Sequence, residues 1–231
     1  MNPTFVEVKM MRHRFTLALA VVLVALGPSV AQAGPPLLCF PMSIGDAASL
    51  PWGAGAWNSP RADYDRARLA DDTIALLGSQ TRALVRMETL RRAVIYAASD
   101  EAAAKKLFGA LRARAAQAGG KTADPRALFD LGYGVEAYRQ TRDAFAPARL
   151  ADPPEDGYAL IRQALEARGP DPEMEYAAAL VTSSRMFRGV SDEHLRAAIA
   201  GAKTDAELAR TIAAHQPIWG SRAAAVSGGK R

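Results

Sequence analysis

A single cysteine, Cys39, stands in a chain of 231 residues, which excludes an intramolecular disulfide framework and a multi-cysteine zinc site. Three histidines leave too few imidazoles for a histidine-rich metal centre. The chain carries no G-x-S-x-G elbow, no P-loop, no G-x-G-x-x-G turn and no C-x-x-C-H haem site, so none of the common enzyme or cofactor signatures applies. No segment alternates as a half-buried strand does. Aromatic residues are only 7% of the chain, while 49 residues are alanine. With 49% hydrophobic and 23% charged residues, the sequence is too apolar for disorder and long enough for one globular core.

The N-terminus reads as a leader. Arg12-His13-Arg14 precedes an uncharged apolar run over 15–26, Gly27-Pro28 breaks it, and Ala31-Gln32-Ala33 supplies an A-x-A site. That order is a secretory signal, with Gly34 as the expected mature N-terminus and Met11 as an alternative start. The apolar run is shorter than the about 20 residues of a membrane span, so no span is expected after cleavage. Removing 1–33 lowers the formal charge from +5 to +3, which gives no footing for nucleic-acid binding.

Residues 34–60 are expected to form an extended arm. Five prolines and four glycines break any helix there, yet Leu37, Leu38, Phe40, Leu50, Trp52 and Trp57 are more large apolar groups than a linker needs. From 61 to 220 the spacing predicts one α-helical domain, with helices over 62–77, 82–98, 100–118, 125–140, 156–167, 172–184, 192–202 and 205–214. Asp124-Pro125, Asp171-Pro172, Asp205 and Ser191 as an N-cap are the clearest starts. The fold class is all-α, with helical hairpins packed as an irregular bundle or a short solenoid of tetratricopeptide or HEAT type. Gly132 and Gly134 predict a close approach of a neighbouring backbone. Residues 221–231 are expected to fray.

Five residues stand out as candidates for a ligand or partner site. Cys39 has no adjacent base to lower its pKa, so a buried hydrophobe competes with a reactive or intermolecular thiol. Trp52 and Trp57 either anchor a peptide or stack a sugar, or they staple the arm to the helices. Glu88 and Arg91, three apart in Val85-Arg86-Met87-Glu88-Thr89-Leu90-Arg91-Arg92, fall on or beside the apolar stripe. A pair there is either an architectural lock or part of a pocket. Glu175, between Met174 and Tyr176, repeats the pattern more weakly. His194 and His215, 21 residues apart, match no short ligand motif.

The arm sequence Gly34-Pro35-Pro36-Leu37-Leu38-Cys39-Phe40-Pro41, then Ile44-Gly45 and Ser49-Leu50-Pro51-Trp52, resembles a group of exported bacterial proteins of unknown function. Residues 85–93 and 171–180 resemble the same group. The resemblance implies an exported helical protein and supplies no activity. That group often has His after the cysteine, where this chain has Phe40, which removes a Cys-His pair.

Together these readings predict an exported, non-catalytic helical scaffold that binds a protein or peptide in the cell envelope, with no cofactor and no metal. The alternative is an envelope enzyme or small-ligand binder with its pocket between the tryptophan-bearing arm and the Glu88/Arg91 helix.

Overall fold

Aspartates start many of the helices. In the computed structural model, which describes residues 34–117, 124–145, 152–183 and 187–228, the side chains of Asp65, Asp100, Asp124, Asp156, Asp171 and Asp205 each accept from a backbone N–H two or three residues ahead. Such acceptors satisfy first-turn donors that have no partner within the helix. The leader expected over 1–33 and the last residue of the helix expected over 100–118 lie outside the described residues.

Among the described residues ten α-helices follow the arm: α1 Leu69–Leu76, α2 Ala83–Ala97, α3 Glu101–Gln117, α4 Arg126–Phe145, α5 Gly157–Arg168, α6 Pro172–Val181, α7 Arg188–Gly201, α8 Ala206–Ala214, α9 Gln216–Trp219 and α10 Arg222–Gly228. The protein is all-α; among the described residues the nearest thing to a sheet is an isolated bridge between Trp52 and Pro60. Residues 34–231 form one compact unit. The main sequential hairpins are α4 with α5 and α6 with α7, while α2 packs on α4 and α1 on α3.

Three expectations need correction. The helix expected at 62–77 is helical only from 66, because Arg61 continues the arm by donating its N–H to Tyr96 Oη, and Asp65 caps a short 3-10 turn at Arg66–Arg68 before α1. Ser191 is not an N-cap: α7 begins at Arg188, and the Ser191 hydroxyl is spent on the Ala179 carbonyl of α6. The frayed tail expected from 221 is instead α10 over most of its length. Three alanines favour the helix, and Arg222 ties it to Asp192 and Ser191 while lying over the Trp219 ring.

α2 is the centre of the molecule. Every residue in it except Arg92 is buried, so it is surrounded on all sides rather than amphipathic. α4 lies beside it, with Phe129, Asp130, Leu131, Tyr133 and Val135 buried in near succession. The α4–α5 crossing depends on Gly132. A Cβ there would stand 2.5 Å from the Gly157 carbonyl oxygen and 3.0 Å from Leu160 Cβ, a clash with backbone that no rotamer relieves. Gly132→Ala is therefore expected to cost about 1–3 kcal/mol, read as a fall in the denaturation midpoint, whereas Gly109→Ala, where a Cβ meets nothing within 4 Å, should be neutral or stabilising.

Candidate functional site

Because α2 is enclosed, its charged residues must be satisfied from within. Arg86 and Asp130 pair at 2.6 Å, with side chains 0% and 1% exposed. Arg86 also donates to the carbonyls of Thr81 and Gly78, and Arg114 donates to Asp130 and to the Leu77 carbonyl. Asp130 Oδ1 is left with no partner. Burial outweighs the two guanidinia and pushes the Asp130 carboxyl up to about 6.

One turn along, Glu88 and Arg91 form a second buried pair, and this one holds the arm. Arg91 Nε and Nη2 grip the two oxygens of Glu88 at 2.8 Å each, while Nη1 donates to the carbonyls of Leu38 and Trp57. Glu88 also accepts from Arg92 Nε and from the backbone N–H of Met42, and Arg92 Nη1 donates to the Leu50 carbonyl. Burial pushes the Glu88 carboxyl up, but the two arginines outweigh it and hold it below the usual carboxylate range. Four arm carbonyl or N–H groups at residues 38, 42, 50 and 57 are thus bonded by three side chains of a single helix. Tyr96, farther along α2, donates to the Pro51 carbonyl.

The C-terminal helices grip the arm from the other side. His215 Nε2 lies 3.0 Å from the Pro41 carbonyl, which can only accept, so Nε2 carries the proton. Nδ1 then accepts from Tyr176 Oη at 2.7 Å, and Tyr176 Oη accepts from Trp219 Nε1 at 3.1 Å. Burial holds His215 down to about 4. The Ser43 N–H donates to Thr211 and its hydroxyl to Glu207, while Leu37 N–H donates to Gln140. Leu37, Leu38 and Leu50 are fully buried.

Trp52 is half-buried, lying 5.1 Å and 5.7 Å from the Arg91 and Arg92 guanidinium carbons and edge-on to Tyr96 at 5.6 Å. Trp57 is half-buried beside the carbonyl that Arg91 holds. Cys39 is half-buried, and burial raises its thiol pKa against a smaller opposing effect of Arg91. Phe40, in the position where the similar group often has His, sets its ring edge-on to His215 at 5.5 Å. All five candidates therefore gather around one helix and one arm, with His215 alongside; Glu88 and Arg91 are closed off, while Cys39, Trp52 and Trp57 are half-buried.

Two other features lie outside it. The histidines sit in separate networks, and folding joins His194 of α7 to Glu175 of α6 at 2.5 Å and to Tyr158 of α5 at 2.9 Å. Glu175 and His194 stand out in the sequence with nothing to pair them, and no sequence signal marks Tyr158. Their separations of 19 and 36 residues belong to no local motif. A cleft of about 320 Å³ runs along α3, lined by Glu101, Lys105, Phe108, Arg112, Tyr138 and Pro153 among others. Phe108 and Tyr138 meet edge-on at its floor, 4.9 Å apart.

No protein-family model, curated protein or solved structure matches the chain.

Proposed function

We propose that this chain is an exported helical scaffold that binds a protein or peptide partner in the cell envelope. The reading rests on one observation: the Glu88/Arg91 pair that the sequence marks out is consumed by the fold. Arg91 spends all three of its nitrogens on Glu88, Leu38 and Trp57. A pocket under the arm would require Arg91 or Glu88 to turn a polar atom outward, and neither has one to spare. The arm is then a permanent part of the body, and binding falls to the relief on the helices. The basic-apolar-A-x-A order of 12–33 supports export, as does the resemblance carried by the arm motif.

The α3 cleft suits an extended peptide that places an apolar side chain over Phe108 and Tyr138, with a carboxylate facing Lys105. Arg112 is already matched by Glu155 and Asp152 by Arg139, while Lys105 makes no ion pair among the described residues. Aromatic floors beside arginine are typical of the energetic centres of interfaces. A photo-crosslinking side chain at Lys105 is expected to capture a segment with an acidic residue beside an apolar one, and the same probe at Arg196, exposed on α7, is not. Equal capture at both sites, or unchanged capture when Lys105→Glu is combined with a probe at Glu101, would count against the cleft.

A further inference from the structure

Glu175, His194 and Tyr158 come from three successive helices and meet in line. Nδ1 of His194 faces the carboxylate at 2.5 Å and Nε2 faces the phenol oxygen at 2.9 Å. A carboxylate can only accept, so Nδ1 carries a proton and the Nε2 lone pair points at the Tyr158 hydroxyl. This is the order of an activated nucleophile: an orienting acid, a base and a hydroxyl. The two flanking oxygens lie on opposite edges of the imidazole, so they cannot share a metal ion.

Glu88 and His215 are each 1% exposed, whereas the His194 and Glu175 side chains are 16% and 20% exposed and Tyr158 is half-buried. Val190 lies one turn before His194 on the same face of α7, and Phe187 one turn before Val190. These two are the exposed large hydrophobic residues among those described, at 37% and 50%. Burial raises the phenol pKa, Arg162 lowers it, and Glu175 and Glu193 raise it further. Tyr158 is therefore a neutral phenol at rest and needs His194 to remove its proton as it attacks.

We propose that Tyr158, His194 and Glu175 form a nucleophilic triad that accepts an acyl group from esters of small apolar carboxylic acids and transfers it to water. Tyr158 Oη attacks the ester carbonyl while its proton passes to His194 Nε2, and Glu175 stabilises the imidazolium. The tetrahedral adduct collapses by breaking the ester C–O bond, and His194 returns the proton to the departing alkoxide, releasing the alcohol. Water then attacks the acyl-tyrosine, giving its proton to His194. The adduct collapses by breaking the acyl C–O bond to Tyr158, His194 returns its proton to the phenolate oxygen, and the carboxylic acid leaves. Phe187 and Val190 offer the surface for the acyl chain. This step does not depend on the partner cleft of α3, and either can fail without the other.

The test is hydrolysis of p-nitrophenyl butyrate by the whole chain, followed by release of p-nitrophenolate and by peptide mapping of the acylated residue. The expected result is a butyryl group on Tyr158, with the rate cut at least tenfold by Tyr158→Phe and by His194→Gln at unchanged melting temperature. Glu175→Gln, which alters only the positioning residue, should move the pH profile as well as lower the rate. Tyr64→Phe should leave the rate unchanged. A parent rate no greater than that of an equimolar tyrosine-imidazole mixture would overturn the proposal. So would a Tyr158→Phe variant that keeps the parent rate, or acylation confined to lysines.

Discussion

Arg91→Ala is expected to lower the unfolding midpoint by on the order of 10 °C. The side chain is 0% exposed and its partner Glu88 1%, and removing one member of a buried pair costs about 3–5 kcal/mol because the other charge stays buried. For a domain of this size each kcal/mol moves the midpoint by roughly 2–4 °C. The loss is larger than a salt bridge alone would give, since the carbonyls of Leu38 and Trp57 also lose their donor. Arg91→Lys should rescue little. A lysine ammonium cannot reproduce the planar fork that holds the Glu88 carboxylate and two arm carbonyls at once. Arg61→Ala is the control, because the Arg61–Asp63 pair is exposed and solvent screens it, so its midpoint should stay close to the parent's. Differential scanning calorimetry of the three variants measures all of this directly.

His215→Gln is expected to change how stability responds to acid. The folded protein holds His215 at about 4, below an unfolded value near 6.5. As pH falls from about 6.5 the unfolded chain takes up a proton that the folded chain refuses, so stability declines toward pH 4. The full difference is about 3 kcal/mol. Asp130 works in the opposite direction. Its folded value of about 6 lies above an unfolded value near 3.9, so the folded state binds the proton first and gains stability over the same window. In the parent the two effects largely cancel. Glutamine can donate to Pro41 and accept from Tyr176 as the neutral imidazole does, without titrating. The variant should therefore gain about 3 kcal/mol relative to the parent between pH 7 and pH 4 in urea denaturation. Parallel curves for parent and variant across that range would contradict the account.

The parts of this fold legible in the sequence are those set by local chemistry. Asp171 and Asp205 cap helices where the sequence places them, since an aspartate before a helical pattern satisfies the same N–H groups in any context. Gly132 predicts a close backbone approach because nothing larger fits between packed helices. The Glu88/Arg91 pair was visible as a charge inside an apolar stripe, yet its task was not. Sequence spacing says that the two residues meet, and it is silent on whether Leu38, Met42 and Trp57 will bring their backbone groups to them. α2 also looked one-sided, when in fact it is enclosed. The arm covers part of it, and the arm's 27 residues carry no periodicity that would reveal which face they take.

Other parts depended on contacts made across long separations. Trp219 attracted no attention beside Trp52 and Trp57, although it is the deepest tryptophan and begins the relay through Tyr176 to His215. Nothing within ten residues of it announces that role. Likewise Ser191 has the identity of a cap but sits inside the first turn of α7, its hydroxyl spent on the Ala179 carbonyl. The tail looked frayed by composition. Only the Arg222 contacts to Asp192 and Ser191 show why α10 is held.

Buried bonds build the arm into the body, in contrast to a flap laid over a site. Native-state hydrogen exchange at Leu37, Met42 and Ser43 tests it most directly, since these amides are bonded to Gln140, Glu88 and Thr211 across at least 46 residues of sequence. If the claim holds, all three exchange only by the global opening that also releases the amides in the middle of α2, with the same denaturant dependence. Exchange of the arm amides through a separate, low-energy opening, while α2 remains protected, would show the arm to be a flap and would contradict the account.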